Sequence, residues 1–359
     1  MADRIYNFNP GPATLPLPAL KKAQEEFLDY KNTGMSIIET SHRSPEFEGV
    51  LVETQGLLKE LLKIPDDYHI LFLGGGASLQ FAMIAMNFIP DAGSADYINT
   101  GTWSTKAIKE AGIIARYNVA ATSEDKNFCY IPESFNFDPD AAYVHLTTNN
   151  TIKGTQWHEF PDTAGKPLVA DMSSDIMSRT LDVSKFAMIY AGAQKNLGPS
   201  GVTVIIMQDE FAKTAREGLP TMLSYDTHIK KNSLFNTPPV FPIYMVKLVM
   251  EWIKDQGGLE KVDEINRKKA DLIYDAIDGS DGYYRGTAQK KDRSIMNLTM
   301  RMQNEDLEKK FIAEAKEKGL HGLKGHRSVG GIRASMYNAF PLEGAEKLAE
   351  FMMQFKKNN

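Results

Sequence analysis

The chain has a single cysteine, Cys129, among 359 residues, so no disulfide can form within it and stability must come from a packed core. Cys129 itself reads as a buried free thiol. No apolar run approaches the ~20 residues of a membrane-spanning helix. Positive charge is not in excess either. The 41 Lys and Arg stand against 46 Asp and Glu, a net charge of -5, which offers no broad cationic face to nucleic acid or acidic membranes. The seven histidines, at 42, 69, 145, 158, 228, 321 and 326, show no ligand spacing such as HExxH, and no metal is expected. The opening MADRIYNFNPGPATLPLPAL lacks the apolar segment of a secretory signal. What these absences leave is a cytoplasmic protein that acts on small molecules, without nucleic-acid or membrane partners.

What is present is ordinary globular composition, 42% hydrophobic and 24% charged, in a length that suggests two domains at roughly 100–200 residues each. From about residue 68, short apolar runs alternate with helical stretches, the pattern of a mainly parallel sheet covered on both faces. HILFLGGG, ADYINTG, YVHLTT, LVADMSSD, AMIYAGAQ and VTVIIM read as strands. FPIYMVKLVMEWIKDQ reads as a helix closed by Gly257 and Gly258. The boundary is set there, giving a large domain over 16–257 and a smaller α+β domain over 258–359, with residues 1–15 packing near the active site or the small domain. The small domain is read as the helix LEKVDEINRKKADLIYDAI, the strand SIMNLTMRM, a helix from Asn304 to Lys318, the strand VGGIRASMY and a final helix. In that last helix Leu348, Phe351, Met352 and Phe355 share one apolar face.

Lys195 in AGAQKNLGPSG follows a strand and stands among small residues, where open α/β sheets bind ligands. Desolvation there lowers an ammonium pKa and makes the amine a nucleophile toward a carbonyl; a solvated loop lysine is the other reading. Asp171 ends the strand in PLVADMSSD. A carboxylate so placed can keep the ring nitrogen of a pyridine cofactor protonated, and paired with Lys195 it describes a pyridoxal phosphate site. LFLGGGASLQFAMIAM sets three glycines, 74 to 76, between a strand and a helix opening at Ala77 and Ser78. That is either an anion cradle at a helix N-terminus or a plain tight turn. Trp103 in TGTWSTK could stack on a pyridine ring or pack in the core.

The segments FNPGPATLP, SHRSPEF, LGGGASLQF, YAGAQKNLGPSG, FNTPPVFPIY and KGHRSVGGIRASMYNAFPLEG span the chain. Together they resemble the phosphoserine aminotransferases, a branch of the class-V, fold-type-I pyridoxal-phosphate enzymes. The resemblance implies an α/β large domain, a mainly parallel seven-stranded sheet sandwiched by helices, with the small domain behind it. It implies one pyridoxal phosphate per subunit, held as a Schiff base on Lys195, which then moves the substrate α-proton. Asp171 would pair with the ring nitrogen, backed by Ser173. Trp103 would stack on the ring, and Thr151 would lie near its polar edge. Gly76, Ala77 and Gln194 would contact the phosphate. The implied assembly is a homodimer with active sites at the interface, Asn236 and Thr237 reaching the neighbouring subunit's cofactor.

By the same resemblance Arg333 would hold the substrate α-carboxylate, while His42 and Arg43, with His326 and Arg327, would hold a phosphate or a γ-carboxylate; read alone, each His-Arg pair could be a surface ion pair. The implied reaction moves the amino group between L-glutamate and 3-phosphohydroxypyruvate, giving O-phospho-L-serine and 2-oxoglutarate in serine biosynthesis. Some relatives also accept the phosphorylated hydroxythreonine precursor of the cofactor. Some members carry a basic residue after the triple glycine, where this chain has Ala77, so phosphate affinity rests more on the helix N-terminus. Alanine–glyoxylate transamination and cysteine desulfuration are the neighbouring readings, yet Cys129 lacks an evident mobile loop. A phosphate-binding regulatory module is the non-enzymatic one, and it leaves Lys195 unexplained.

Overall fold

The computed structural model describes residues 4–359. Its strands are β1 (Tyr6–Asn7), β2 (Tyr68–Leu73), β3 (Ser94–Asn99), β4 (Arg116–Thr122), β5 (Ala141–Thr147), β6 (Leu168–Asp171), β7 (Met188–Gly192), β8 (Thr203–Gln208), β9 (Arg285–Gly286), β10 (Asn297–Arg301), β11 (Leu320–His321) and β12 (Ile332–Ser335). The helices are α1 (Leu17–Glu25), α2 (Pro45–Leu62), α3 (Gly76–Phe88), α4 (Thr102–Ile114), α5 (Asp209–Ala212), α6 (Tyr225–Lys230), α7 (Val240–Asp255), α8 (Gly258–Asp278), α9 (Glu305–Glu317) and α10 (Leu342–Asn358).

Seven strands form the main sheet in the order β2-β8-β7-β6-β5-β3-β4. Only β8 runs against its neighbours β2 and β7. The apolar runs are continuous because both faces are covered, and the two-residue period of a strand divides each run between two cores. Ile70, Phe72, Ile189, Ala191, Val204 and Ile206 join the cluster beneath α1, α2 and α7. Leu71, Leu73, Met188, Tyr190, Ile205 and Met207 join the cluster beneath α3 and α4. Truncating one of the larger of these side chains to Ala would cost about 2–5 kcal/mol.

A second sheet, β12-β10-β9, is antiparallel and packs with α8 and α10, its own cluster including Leu348, Phe351, Met352 and Phe355. Phe8 lies in that cluster, and β1 pairs with β11 in parallel, so the first described residues belong with the smaller sheet. Two strands are shorter than their apolar patterns predict. The VGGIRASMY strand begins only at Ile332, because Gly330 and Gly331 take φ of 73° and 75°. The SIMNLTMRM strand begins at Asn297, since the Ser294 hydroxyl accepts from the amides of Met296 and Asn297 and turns the chain before it. No helix among the described residues is long and apolar enough to cross a membrane.

The parallel order puts the C-terminal ends of β2, β3, β5, β6 and β7 on one edge. That edge is where an open α/β sheet presents groups to a ligand, and it gathers Gly76, Trp103, Thr147, Asp171 and the turn carrying Lys195 around one cavity.

Candidate active site

The cavity has a volume of about 130 Å³ and is lined by Gly76, Ala77, Ser78, Trp103, Thr147, Asn149, Asp171, Ser173, Ser174, Gln194 and Lys195. Lys195 leaves β7 through a turn closed by Ala193 N–H donating to Val202 O at 3.0 Å. Its ammonium donates to Thr151 Oγ1 at 2.7 Å and lies 5.8 Å from the Trp103 ring centroid. Burial pushes this ammonium down to about 8, against the pull of the nearby Asp171 carboxylate; Arg333 adds to the fall. A lysine near that value is in part a free amine at neutral pH, which is the state a nucleophile or proton acceptor needs. Gly11 packs on the lysine stem: a Cβ there would stand 3.3 Å from Lys195 Cγ, at a φ of 135°.

Asp171 is held at the end of β6, its Oδ1 accepting from Ser173 N–H at 2.9 Å. Burial pushes its carboxyl up, while the Ser173 donors and the Lys195 cation pull it back. Ser173 Oγ in turn accepts from Gly192 N–H at 3.1 Å, tying β6 to the lysine turn. Across the cavity α3 opens at Gly76 behind Gly75, whose φ is 87° and whose Cβ would come within 2.5 Å of Leu79 Cδ2. The helix therefore starts one residue earlier than Ala77. The first-turn N–H groups of a helix have no intrahelical acceptor and carry its positive end, so this turn has the geometry to receive an anion. Trp103 sits in the first turn of α4, its indole N–H buried without a protein partner.

Arg333, on β12 opposite Thr299, approaches Thr151 from the smaller sheet. It is buried, with Nη1 donating to Thr151 O at 3.5 Å and Nε unpaired. The His326 imidazole is pushed down by burial and then by the cations of Arg333, Arg327 and Lys106 around it. The cations of Arg333, Arg327 and Lys106 thus gather about His326 in a protein whose net charge is negative, and Arg333 acts on Lys195 as well.

A profile of the family described as aminotransferase class-V matches residues 5–348. The phosphoserine aminotransferase of Desulfosudis oleivorans is 57% identical, with all of both chains covered. The chain belongs to the aminotransferase class-V family, on its phosphoserine aminotransferase branch. The solved phosphoserine aminotransferase from Bacillus circulans subsp. alkalophilus superposes with a TM-score of 0.97 at 54% identity, covering 99% of each chain. A pyridoxal-phosphate-bound phosphoserine aminotransferase from Trichomonas vaginalis gives 0.92 at 36% identity, over 98% of this chain and 100% of that one.

Pyridoxal phosphate, the cofactor of this family, fits the residues present. A buried amine, a buried carboxylate, an indole face and a free helix N-terminus converge on one cavity. Gly76, Ala77, Trp103, Asp171, Ser173, Gln194 and Lys195 line it, and Thr151 touches the lysine. His326 and Arg327 stand near Arg333 outside the lining. His42 and Arg43, ahead of α2, and the exposed Asn236 and Thr237 do not line it. Sequence reasoning passed over Asp175, Thr148, Asn149 and Gln156, all buried beside the cavity. The signal available for them was their polarity inside an apolar neighbourhood.

Proposed function

We propose that this chain transfers the amino group between L-glutamate and 3-phosphohydroxypyruvate, and that it does so as a cytoplasmic homodimer divided into domains at 16–257 and 258–359. The observation that carries the substrate reading is the buried Arg333 guanidinium, which reaches Thr151 and acts on Lys195, with Arg327 and Lys106 near it about His326. Two anionic ends on one substrate call for planar bidentate donors of this kind.

When bound, the cofactor supplies an electron sink for the bond broken at the substrate α-carbon. The protein's part is holding and proton transfer. Lys195 would hold the cofactor as a Schiff base and, once displaced, its Nζ would carry the α-proton. Thr151 Oγ1 fixes where that nitrogen stands at the cavity wall. Asp171 would face the ring nitrogen, Trp103 its face, and the opening turn of α3 the phosphate. Arg333 would take the α-carboxylate, fixing which α-bond stands toward Lys195; orientation of this sort is worth several powers of ten in rate. His42, Arg43, His326 and Arg327 would bind the distal phosphate or carboxylate, and Asn236 and Thr237 would complete the partner subunit's site.

Purified protein loaded with pyridoxal phosphate is expected to form 2-oxoglutarate from L-glutamate and 3-phosphohydroxypyruvate. The ratio kcat/KM should exceed that for alanine and glyoxylate by at least ~10²-fold, since an anionic tail makes charge-assisted hydrogen bonds to arginine that a methyl group cannot make. Borohydride treatment should fix the cofactor to Lys195 in a mapped peptide. Equal rates with both substrate pairs would overturn the substrate reading, and label on another lysine the site.

A further inference from the structure

Asp175 is buried as deeply as Asp171, 5% against 4% exposed, and no role assigned above uses it. Both of its oxygens are taken by neutral donors: the Thr148 hydroxyl donates to Oδ1 and the Gln156 amide to Oδ2 at 3.1 Å. Those donors are the two legs of one hairpin. Asn149 and Gln156 pair across it as an antiparallel bridge, and Trp157 N–H donates to Thr148 O at 2.8 Å. The turn between the legs carries Thr151. Its hydroxyl meets Lys195 Nζ and its carbonyl meets Arg333 Nη1. The far end of the Gln156 side chain accepts from Ile295 N–H at 3.0 Å, just before β10.

We propose that Asp175 is a positioning residue, which by clamping both legs of the 148–156 hairpin sets where Thr151 meets Lys195 and Arg333. It rests on the role of Lys195 proposed above. A buried carboxylate is costly to keep, and at this place it serves as a rigid acceptor that both legs share. Loss of the clamp leaves the Gln156 donor without an acceptor, releases the Thr148 hydroxyl to Asp171 O, and frees a turn on which Lys195 and Arg333 depend.

An asparagine at this position can keep the clamp. Its carbonyl would accept from Gln156, and its NH₂ would donate to the Thr148 oxygen. The Thr148 hydroxyl would then turn to Asp171 O, already 3.1 Å away.

The test uses cofactor-loaded, full-length Asp175→Ala, Asp175→Asn and Thr148→Val, read by hydrogen exchange, the cofactor absorbance band, and kcat and KM. Asp175→Ala should speed exchange of the 150–156 amides about tenfold, while β2 and α8 stay as in the unsubstituted protein. It should also move the absorbance band and lower kcat by roughly 10²-fold, the scale of an ångström-level misplacement. Asp175→Asn should recover most of this. The exchange readout stands whatever the substrate proves to be, so its failure is separable from failure of the function reading. Unchanged or uniformly faster exchange would overturn the proposal, as would an asparagine variant as damaged as the alanine one. If Asp175→Ala does not fold, Thr148→Val should loosen the same amides alone, and unaltered exchange there overturns it equally.

Discussion

Lys195 and Lys269 are both buried, 8% and 0% exposed, and burial pushes their ammonium groups down to about 8 and about 7. Their surroundings differ. Lys269 stands on α8 and donates to Met336 O at 3.4 Å, Tyr337 O at 2.8 Å and Phe340 O at 3.1 Å. Three donors meet three acceptors, so the nitrogen is satisfied within the protein. The result is a pin through residues 336–340, the stretch whose Asn338 N–H reaches Asn196 beside the reactive lysine. Lys195 has one hydroxyl partner and an open cavity on its other side. Burial lowers basicity in both regions, but only where donors remain free can the amine engage a ligand.

Removing each lysine is the strongest way to break this contrast. Lys195→Ala should lower kcat by at least ~10⁴-fold, since it deletes the residue proposed above as both cofactor anchor and proton carrier. Its melting temperature without cofactor should stay within ~2 °C of the parent, because a costly buried ammonium is lost along with its single bond. Lys269→Met should do the reverse. Met336 O and Phe340 O lose this donor and Tyr337 O keeps only Phe340 N–H, so chemical denaturation should show a loss of about 2–4 kcal/mol, while kcat well below the melting range stays within about threefold. A Lys269→Met protein of normal stability and no activity would make the two lysines functional equals and end the distinction.

The two lysines also mark how far the sequence was legible. Lys195 and Asp171 could be found because each follows a continuous apolar run, and a strand end in an open α/β sheet points to the ligand edge. Lys269 sits in RKKADL beside Lys268, which is exposed and paired with Glu264 at 2.6 Å. One residue of helix turns a side chain by about 100°, so neighbours of the same type meet opposite fates. Nothing local to α8 announces the carbonyls of 336–340 that accept from it. Asp175 is a similar case: its donors, Thr148 and Gln156, are brought over it by the β5–β6 pairing. The mainly parallel sheet was readable as alternation of elements. The register-dependent contacts between side chains were not.

The smallest expected effect sharpens the comparison most, because it isolates what sets the Lys195 charge. Uptake of pyridoxal phosphate by stripped protein needs the free amine, so its rate should rise about tenfold per pH unit in the acid range and level off above about 8. Asp171 favours the ammonium and Arg333 opposes it. Arg333→Gln removes a repelling cation, which keeps the proton on Lys195 to higher pH and moves the midpoint up. Asp171→Asn removes an attracting anion and moves it down. Lys269→Met, acting in the other region, should leave the midpoint where it is. Stopped-flow absorbance against pH measures all three; shifts of one sign for Arg333 and Asp171, or a shift with Lys269, would show that the buried amine is governed by overall burial and not by the two charges facing it.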